Sequence, residues 1–221
     1  LSANKVFTLI TVLAIYWIAT CIAMKGMSWA GKISKIGAMI GTIIPAGLLI
    51  VLAIIYLSTG GHNNMDMSAG FFPDLTKFDN LVLASGIFLF YAGMEMMGIH
   101  VMDVKNPGKN YPKSILIGSF ITVLIFVLGT YSLGIIIPTK DINLTQSLLI
   151  GFDNYFHYLH MSWASPIIAV ALMIGVLAGV LTWLAGASKG IFTVGKAGSL
   201  PPCVHKTNKT GAPINLIPKQ V

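Results

Sequence analysis

Five stretches of the chain run for about 20 residues each with almost no charge, the length a helix needs to cross a bilayer. The first, Val6 to Met24, lies between Lys5 and Lys25 and would measure about 28 Å as a helix. The others are Ile36 to Leu57, Leu81 to Met102, Ile115 to Ile137 and Trp163 to Ala187. None alternates with the period of two that barrel strands require, so the pattern predicts an all-α integral membrane protein with five transmembrane helices. Between the second and third runs, Gly60, Gly61, Asn63, Asn64, Gly70 and Pro73 forbid a continuous helix. After the fourth, Leu144, Leu148, Leu149, Phe152 and Phe156 recur at helical spacing, predicting an amphipathic outer helix over about residues 144–158, N-capped by Asp141 or Asn143. Residues 1–194 thus form the transmembrane region and residues 195–221, with Pro201, Pro202, Pro213 and Pro218, a polar cytoplasmic tail.

Composition narrows the class. Of the 221 residues 55% are hydrophobic and 10% charged, against roughly a quarter charged in a soluble domain. Disorder and coiled coils need more charge, and two cysteines make no disulfide scaffold. All 14 basic residues are lysines, and with seven acids the net charge is +7. The lysines mark orientation, because loops retained in the cytoplasm are enriched in basic residues. Lys25, Lys32 and Lys35, then Lys105, Lys109 and Lys113, then Lys189, Lys196, Lys206, Lys209 and Lys219 fall on one side, which is therefore inner. Lys77 and Lys140, with Asp66, Asp74, Asp79, Asp141 and Asp153, face outward. The first residue then lies outside, and a chain that opens on Leu1 without a signal peptide reads as a fragment of a longer protein. Cys21 and Cys203 both fall on the reducing side and are expected as free thiols.

Glu95 is the one glutamate of the chain, and it stands inside the third apolar run. A carboxylate at that depth costs several kcal/mol unless neutral, paired or wet, so such acids mark substrate paths or proton relays; the plainer alternative is a protonated side chain that fixes helix packing. Gly93 and Gly98 flank it. Glycine costs about 1 kcal/mol in a helix interior, and two beside an acid suggest a broken helix whose freed backbone groups bind a zwitterion at the midplane. Close helix contact through small residues explains the same glycines equally well. His157 and His160, three apart on the outer helix, lack a third metal ligand nearby, and no metal or other cofactor is expected. His100 follows Glu95 by more than a helical turn, as a pH sensor or a structural histidine of the inner rim.

Tyr91-Ala92-Gly93-Met94-Glu95, followed by the loop Lys105-Asn106-Pro107-Gly108-Lys109-Asn110-Tyr111-Pro112, resembles the broken sixth helix and following loop of the amino acid–polyamine–organocation transporters. Within that superfamily the chain is most similar to the bacterial glutamate/γ-aminobutyrate antiporters. The likeness continues in Lys32-Ile33-Ser34-Lys35-Ile36-Gly37, Phe71-Phe72-Pro73-Asp74-Leu75, Ile142-Asn143-Leu144, Gly175-Val176-Leu177-Ala178 leading to Trp183, and Leu200-Pro201.

The resemblance implies a LeuT-like inverted-repeat fold, incomplete here, with the five runs as membrane helices four to eight. It implies a substrate site to which Leu89, Tyr91, Ala92, Gly93 and Glu95 contribute from the sixth helix and Trp183, closing over the substrate, from the eighth. Without it, Trp183 reads first as a packing residue. Leu89 replaces the aromatic of many relatives that exchange cationic amino acids, which points toward glutamate and γ-aminobutyrate. The implied activity is amino acid antiport by alternating access in the bacterial inner membrane, serving acid resistance and needing the missing helices of the parent as partners, with no nucleic acid and no enzymatic step. The rival readings are a permease of broader specificity, a membrane redox subunit using Glu95 with His100, and a non-transporting fragment of a disrupted gene.

Overall fold

The computed structural model describes residues 5–25, 27–65, 76–91, 98–99, 101, 104–138, 141–143, 146–199 and 201. Among these the structure is all-helical, without strands. The helices are α1 (Lys5–Met24), α2 (Met27–Ala38), a π-helical turn Met39–Ile43, α3 (Ile44–Ser58), α4 (Phe78–Tyr91), α5 (Pro107–Ile136), α6 (Ser147–Tyr158) and α7 (Ser165–Val194). Four helical stretches among the described residues, Lys5–Met24, Trp29–Ser58, Pro107–Ile136 and Ser162–Val194, are long and apolar enough to cross a membrane. The helix α4 is described as far as Tyr91, and residues 92–97, which include Gly93, Glu95 and the predicted break, lie outside the described residues. Contacts divide the chain into two compact units: residues 1–45 with 169–221, and residues 46–168.

In the first unit the core is small. Ala19 and Ala23 of α1 pack with Leu181 and Leu184 of α7, and Ile33 of α2 closes over them. Farther along α7, Gly37 and Gly41 meet Ala178 and Gly175 at backbone range. A β-carbon on Gly175 would lie 2.7 Å from the Gly41 carbonyl oxygen, and one on Gly41 would lie 2.6 Å from the Ala171 carbonyl oxygen. The spacing is the small-residue stripe that lets membrane helices approach. The π-turn sits at this crossing, where the Ile44 N–H donates to the Met39 carbonyl. Pro45 explains the wide turn: a proline ring clashes with the carbonyl four residues back, here that of Gly41, and has no N–H to offer it. Widening one turn relieves the clash, and the carbonyl Pro45 leaves without its usual donor faces Gly175.

In the second unit, hydrogen bonds from side chains to main chain dominate. The last carbonyls of α5 have no donor within their own helix. Asn64 meets them, donating from Nδ2 to the carbonyls of Ile135 and Ile136 at 3.1 and 3.2 Å and from its N–H to Ile135 at 3.1 Å. The Tyr155 hydroxyl, fully buried, donates to the Ser132 carbonyl at 2.5 Å. Tyr56 packs edge-on against Tyr155 and Tyr158, with ring centres 5.6 and 4.6 Å apart. Its hydroxyl donates to the His62 carbonyl.

The helix α6 buries Ser147, Gly151, Phe152, Tyr155 and Phe156, while Leu148 and Leu149 of the expected apolar face are exposed. Its N-cap is Gln146 rather than Asp141 or Asn143. Asn143 acts instead through its backbone, its N–H donating to Ser147 Oγ and its carbonyl accepting from the Ser147 N–H, each at 2.8 Å.

Candidate functional site

The implied site residues come from both units, and each contribution is described where it stands. Trp183 belongs to the first unit. The packed face of α7 carries Ala178, Leu181, Leu184, Ala185 and Ser188, all buried. At 100° per residue, Trp183 stands about 200° round from Leu181, on the far face, and is 54% exposed. Its indole therefore takes no part in the core of its unit. Gly179, one turn earlier on that face, has no atom within 4 Å of where a β-carbon would stand. Helical side chains lean toward the preceding turn, so open space adjoins the tryptophan where a larger residue would fill it.

Two sets of contacts fix the rotation of α7 that turns Trp183 outward. The Leu181 and Leu184 side chains are buried against α1. Gly175 and Ala178 lie against Gly41 and Gly37, and the Ser34 hydroxyl donates to the Ala178 carbonyl at 3.4 Å. The hydroxyls of the helix close on their own backbone, Thr182 to the Ala178 carbonyl at 2.8 Å and Ser188 to that of Leu184 at 2.7 Å. Each of these hydroxyls is thereby satisfied within its own helix.

The other contributions belong to the second unit. Leu89 and Tyr91 lie in the last turn of α4, and Ala92, Gly93, Glu95 and His100 are outside the described residues. Beyond them, the Tyr111 hydroxyl of α5 is 3.5 Å from where a β-carbon on Gly98 would stand. Tyr111 thus holds a place beside the glycine that follows Glu95, a role the sequence motif contains but does not announce. The loop that delivers it is internally bonded. Asn106 takes a left-handed backbone (φ 51°), Pro107 starts the helix, and the Asn110 side chain donates to the Lys105 carbonyl at 2.5 Å.

The remaining candidates have structural explanations. His160 takes a left-handed backbone (φ 56°) at the end of α6. The Met161 N–H donates to the Phe156 carbonyl at 2.7 Å across it, the bond that closes a Schellman turn. His157 and His160 are exposed, and among the described residues no three His, Cys, Asp or Glu side chains form a metal-binding group. Cys21 is a free thiol, exposed on α1; Cys203 is outside the described residues.

A sequence model described as amino acid permease matches residues 1–218. An uncharacterized transporter of Legionella pneumophila is 30% identical over 98% of this chain and 47% of its own length. A glutamate/gamma-aminobutyrate antiporter of Lactococcus lactis is 28% identical over 98% of the chain and 44% of its own. A lysine-specific permease of the same species is 25% identical over 78% of the chain and 36% of its own. The chain therefore spans less than half the length of these relatives. These matches and the all-helical, membrane-length architecture agree: the chain belongs to the amino acid permease family and is a multi-pass membrane protein.

Proposed function

We propose that this chain forms part of an amino acid antiporter of a bacterial inner membrane, exchanging glutamate for γ-aminobutyrate by alternating access. The observation that carries the reading is the exposure of Trp183 beside Gly179, on a helix whose rotation is locked by contacts on its opposite face. A large aromatic left out of its own core, next to open space, suits a surface that covers a ligand; an indole face attracts an ammonium group. Leu89, Tyr91, Ala92, Gly93 and Glu95 supply the rest of the site, with Glu95 as the acid near the substrate. The remaining helices of the parent transporter complete it. The 28% identity to the Lactococcus lactis antiporter supports glutamate and γ-aminobutyrate as the substrate pair.

The test is exchange of labelled glutamate for internal γ-aminobutyrate in liposomes carrying the full-length protein. Glu95→Gln is expected to lower the rate at least tenfold and to change its pH dependence; Trp183→Ala is expected to raise KM more than it lowers kcat. Wild-type rates and an unchanged pH profile in Glu95→Gln would leave that side chain a packing role. Equal competition by lysine would favour a permease of broader specificity.

A further inference from the structure

The charges of this protein are segregated between its units. Residues 1–45 and 169–221 contain nine lysines and no acid, whereas residues 46–168 contain five lysines and all seven acids. The first unit therefore has no carboxylate side chain of its own to neutralise any of its lysines. Three of them gather where α1 gives way to α2: Lys25, Lys32 and Lys35, all exposed.

Helix lengths set the depth of this cluster. The 20 residues of α1 span about 30 Å, the hydrocarbon thickness, so Lys25 just beyond its end reaches the headgroups. The following 30-residue stretch Trp29–Ser58 would measure about 45 Å, longer than the hydrocarbon layer. Its charged beginning is the part left at headgroup depth. The rotation of α2 is fixed as well: Ala30 is buried, Ile33 packs on the α1–α7 core, Ser34 bonds to Ala178 and Gly37 meets α7. Trp29 (62% exposed) and Lys32 are thereby turned outward on one stripe, with Lys35 a turn beyond Lys32. Tryptophan favours the level where acyl chain meets headgroup, and lysines beside it attract anionic lipid.

We propose that the α1–α2 junction binds the phosphate headgroup of an anionic phospholipid, held by Lys25, Lys32 and Lys35, with its upper acyl chain against Trp29. Charge complementarity selects the occupant: a phosphatidylcholine presents the same phosphate with a compensating cation, and a phosphatidylglycerol does not. The inference needs only that the junction lies at a membrane surface and is independent of the transported substrate.

The test is native mass spectrometry of the full-length protein in mild detergent, titrated with dioleoyl phosphatidylglycerol or dioleoyl phosphatidylcholine. Wild type is expected to hold the anionic lipid about tenfold more tightly, and Lys32→Gln/Lys35→Gln to lose most of that preference with zwitterionic binding unchanged. The substituted lysines are exposed, so the variant is expected to fold. As a second reading, brominated phosphatidylglycerol is expected to quench wild-type fluorescence more than brominated phosphatidylcholine, with the excess absent in Trp29→Phe. Equal affinity for the two lipids in wild type would overturn the proposal. So would a preference that survives in Lys32→Gln/Lys35→Gln and disappears in Lys105→Gln/Lys109→Gln/Lys113→Gln, which would assign the lipid to the other basic loop.

Discussion

In the first unit the tightest contacts are made by glycines, Gly41 backbone to backbone against Gly175 and Gly37 against the Ala178 β-carbon. In the second they run from hydroxyl and amide side chains to carbonyls, Tyr155 to Ser132 and Asn64 to Ile135 and Ile136. The difference follows the local solvent. Lipid tails are as apolar as leucine, so helices within them gain little from burying more leucine and associate where small residues permit close approach. Where α5 ends, its last carbonyls lose their partners, and hydrogen-bond donors become the scarce resource. One unit is joined by the absence of side chains and the other by the reach of a few polar ones.

The largest expected effect breaks the first kind of joint. Gly175→Ala would set a methyl 2.7 Å from the Gly41 carbonyl oxygen and 2.8 Å from the Gly41 Cα, and a backbone cannot yield as a flexible side chain can. We expect Gly175→Ala and Gly41→Ala each to destabilise the protein by about 3 kcal/mol, read from reversible unfolding in mixed micelles. Gly31→Ala, also in the first unit but with nothing within 4 Å of its would-be β-carbon, is expected to gain about 0.5–1 kcal/mol from helix propensity alone. Equal effects at all three sites would deny that close approach is what the crossing glycines provide.

That crossing was hard to see in the sequence, for a physical reason. Gly37 and Gly41 are spaced as a contact stripe, yet a stripe of small residues does not name its partner; only the fold brings Gly175 and Ala178 to it. The helical class was legible because about 20 uncharged residues are a direct measure of hydrocarbon thickness. The same ruler misjudges where helices end. The helix α2 begins at Met27 and passes through Lys32 and Lys35, α5 starts at Pro107 ahead of Lys109 and Lys113, and α7 continues through Lys189 to Val194. Lysine is a good helix former, so a charge marks the bilayer surface and not the last turn. Of the candidate site, Trp183 came from family resemblance alone, since an aromatic in an apolar run has no pattern that separates packing from exposure. Its outward face depends on Leu181, Leu184 and Gly175 being held on the other side. The apolar face expected on α6 was shifted because Tyr155, polar by its hydroxyl, goes inward to reach the Ser132 carbonyl.

Substitutions in the second unit sharpen the contrast. Tyr155→Phe keeps the ring contact with Tyr56 and removes the donor, leaving less than Gly175→Ala to repair; we expect a loss of about 1–2 kcal/mol. Asn64→Ala, which removes the side-chain donor from the Ile136 carbonyl but leaves the Ile135 carbonyl the backbone N–H of position 64, is expected to cost about 1 kcal/mol. Tyr155 also gives the unit a pH signature. Burial, and then the neighbouring Tyr56, raise its pKa well above the ordinary tyrosine value of 10.0. A group whose proton is held more tightly when folded contributes stability that is complete below its unfolded pKa and declines above it. Stability of the wild type is therefore expected to fall as pH rises beyond about 10, and the Tyr155 contribution to that fall to vanish in Tyr155→Phe, as followed by unfolding midpoints across the alkaline range.

The smallest effect tests whether the second unit carries strain where its side chains do not reach. His160 ends α6 in a left-handed backbone with φ 56°, and the Met161 N–H completes the turn on the Phe156 carbonyl. A residue with a β-carbon pays roughly 1–2 kcal/mol for that conformation, and glycine adopts it freely at some cost in chain entropy. His160→Gly is accordingly expected to stabilise the protein by about 0.5 kcal/mol, and His160→Ala to destabilise it slightly, because alanine keeps the β-carbon and adopts the left-handed region less readily than histidine does. If the imidazole instead mattered for an interaction of its own, glycine and alanine would lose stability together. The ordering of the three residues, glycine above histidine above alanine, distinguishes a turn limited by backbone geometry from one held by a side chain.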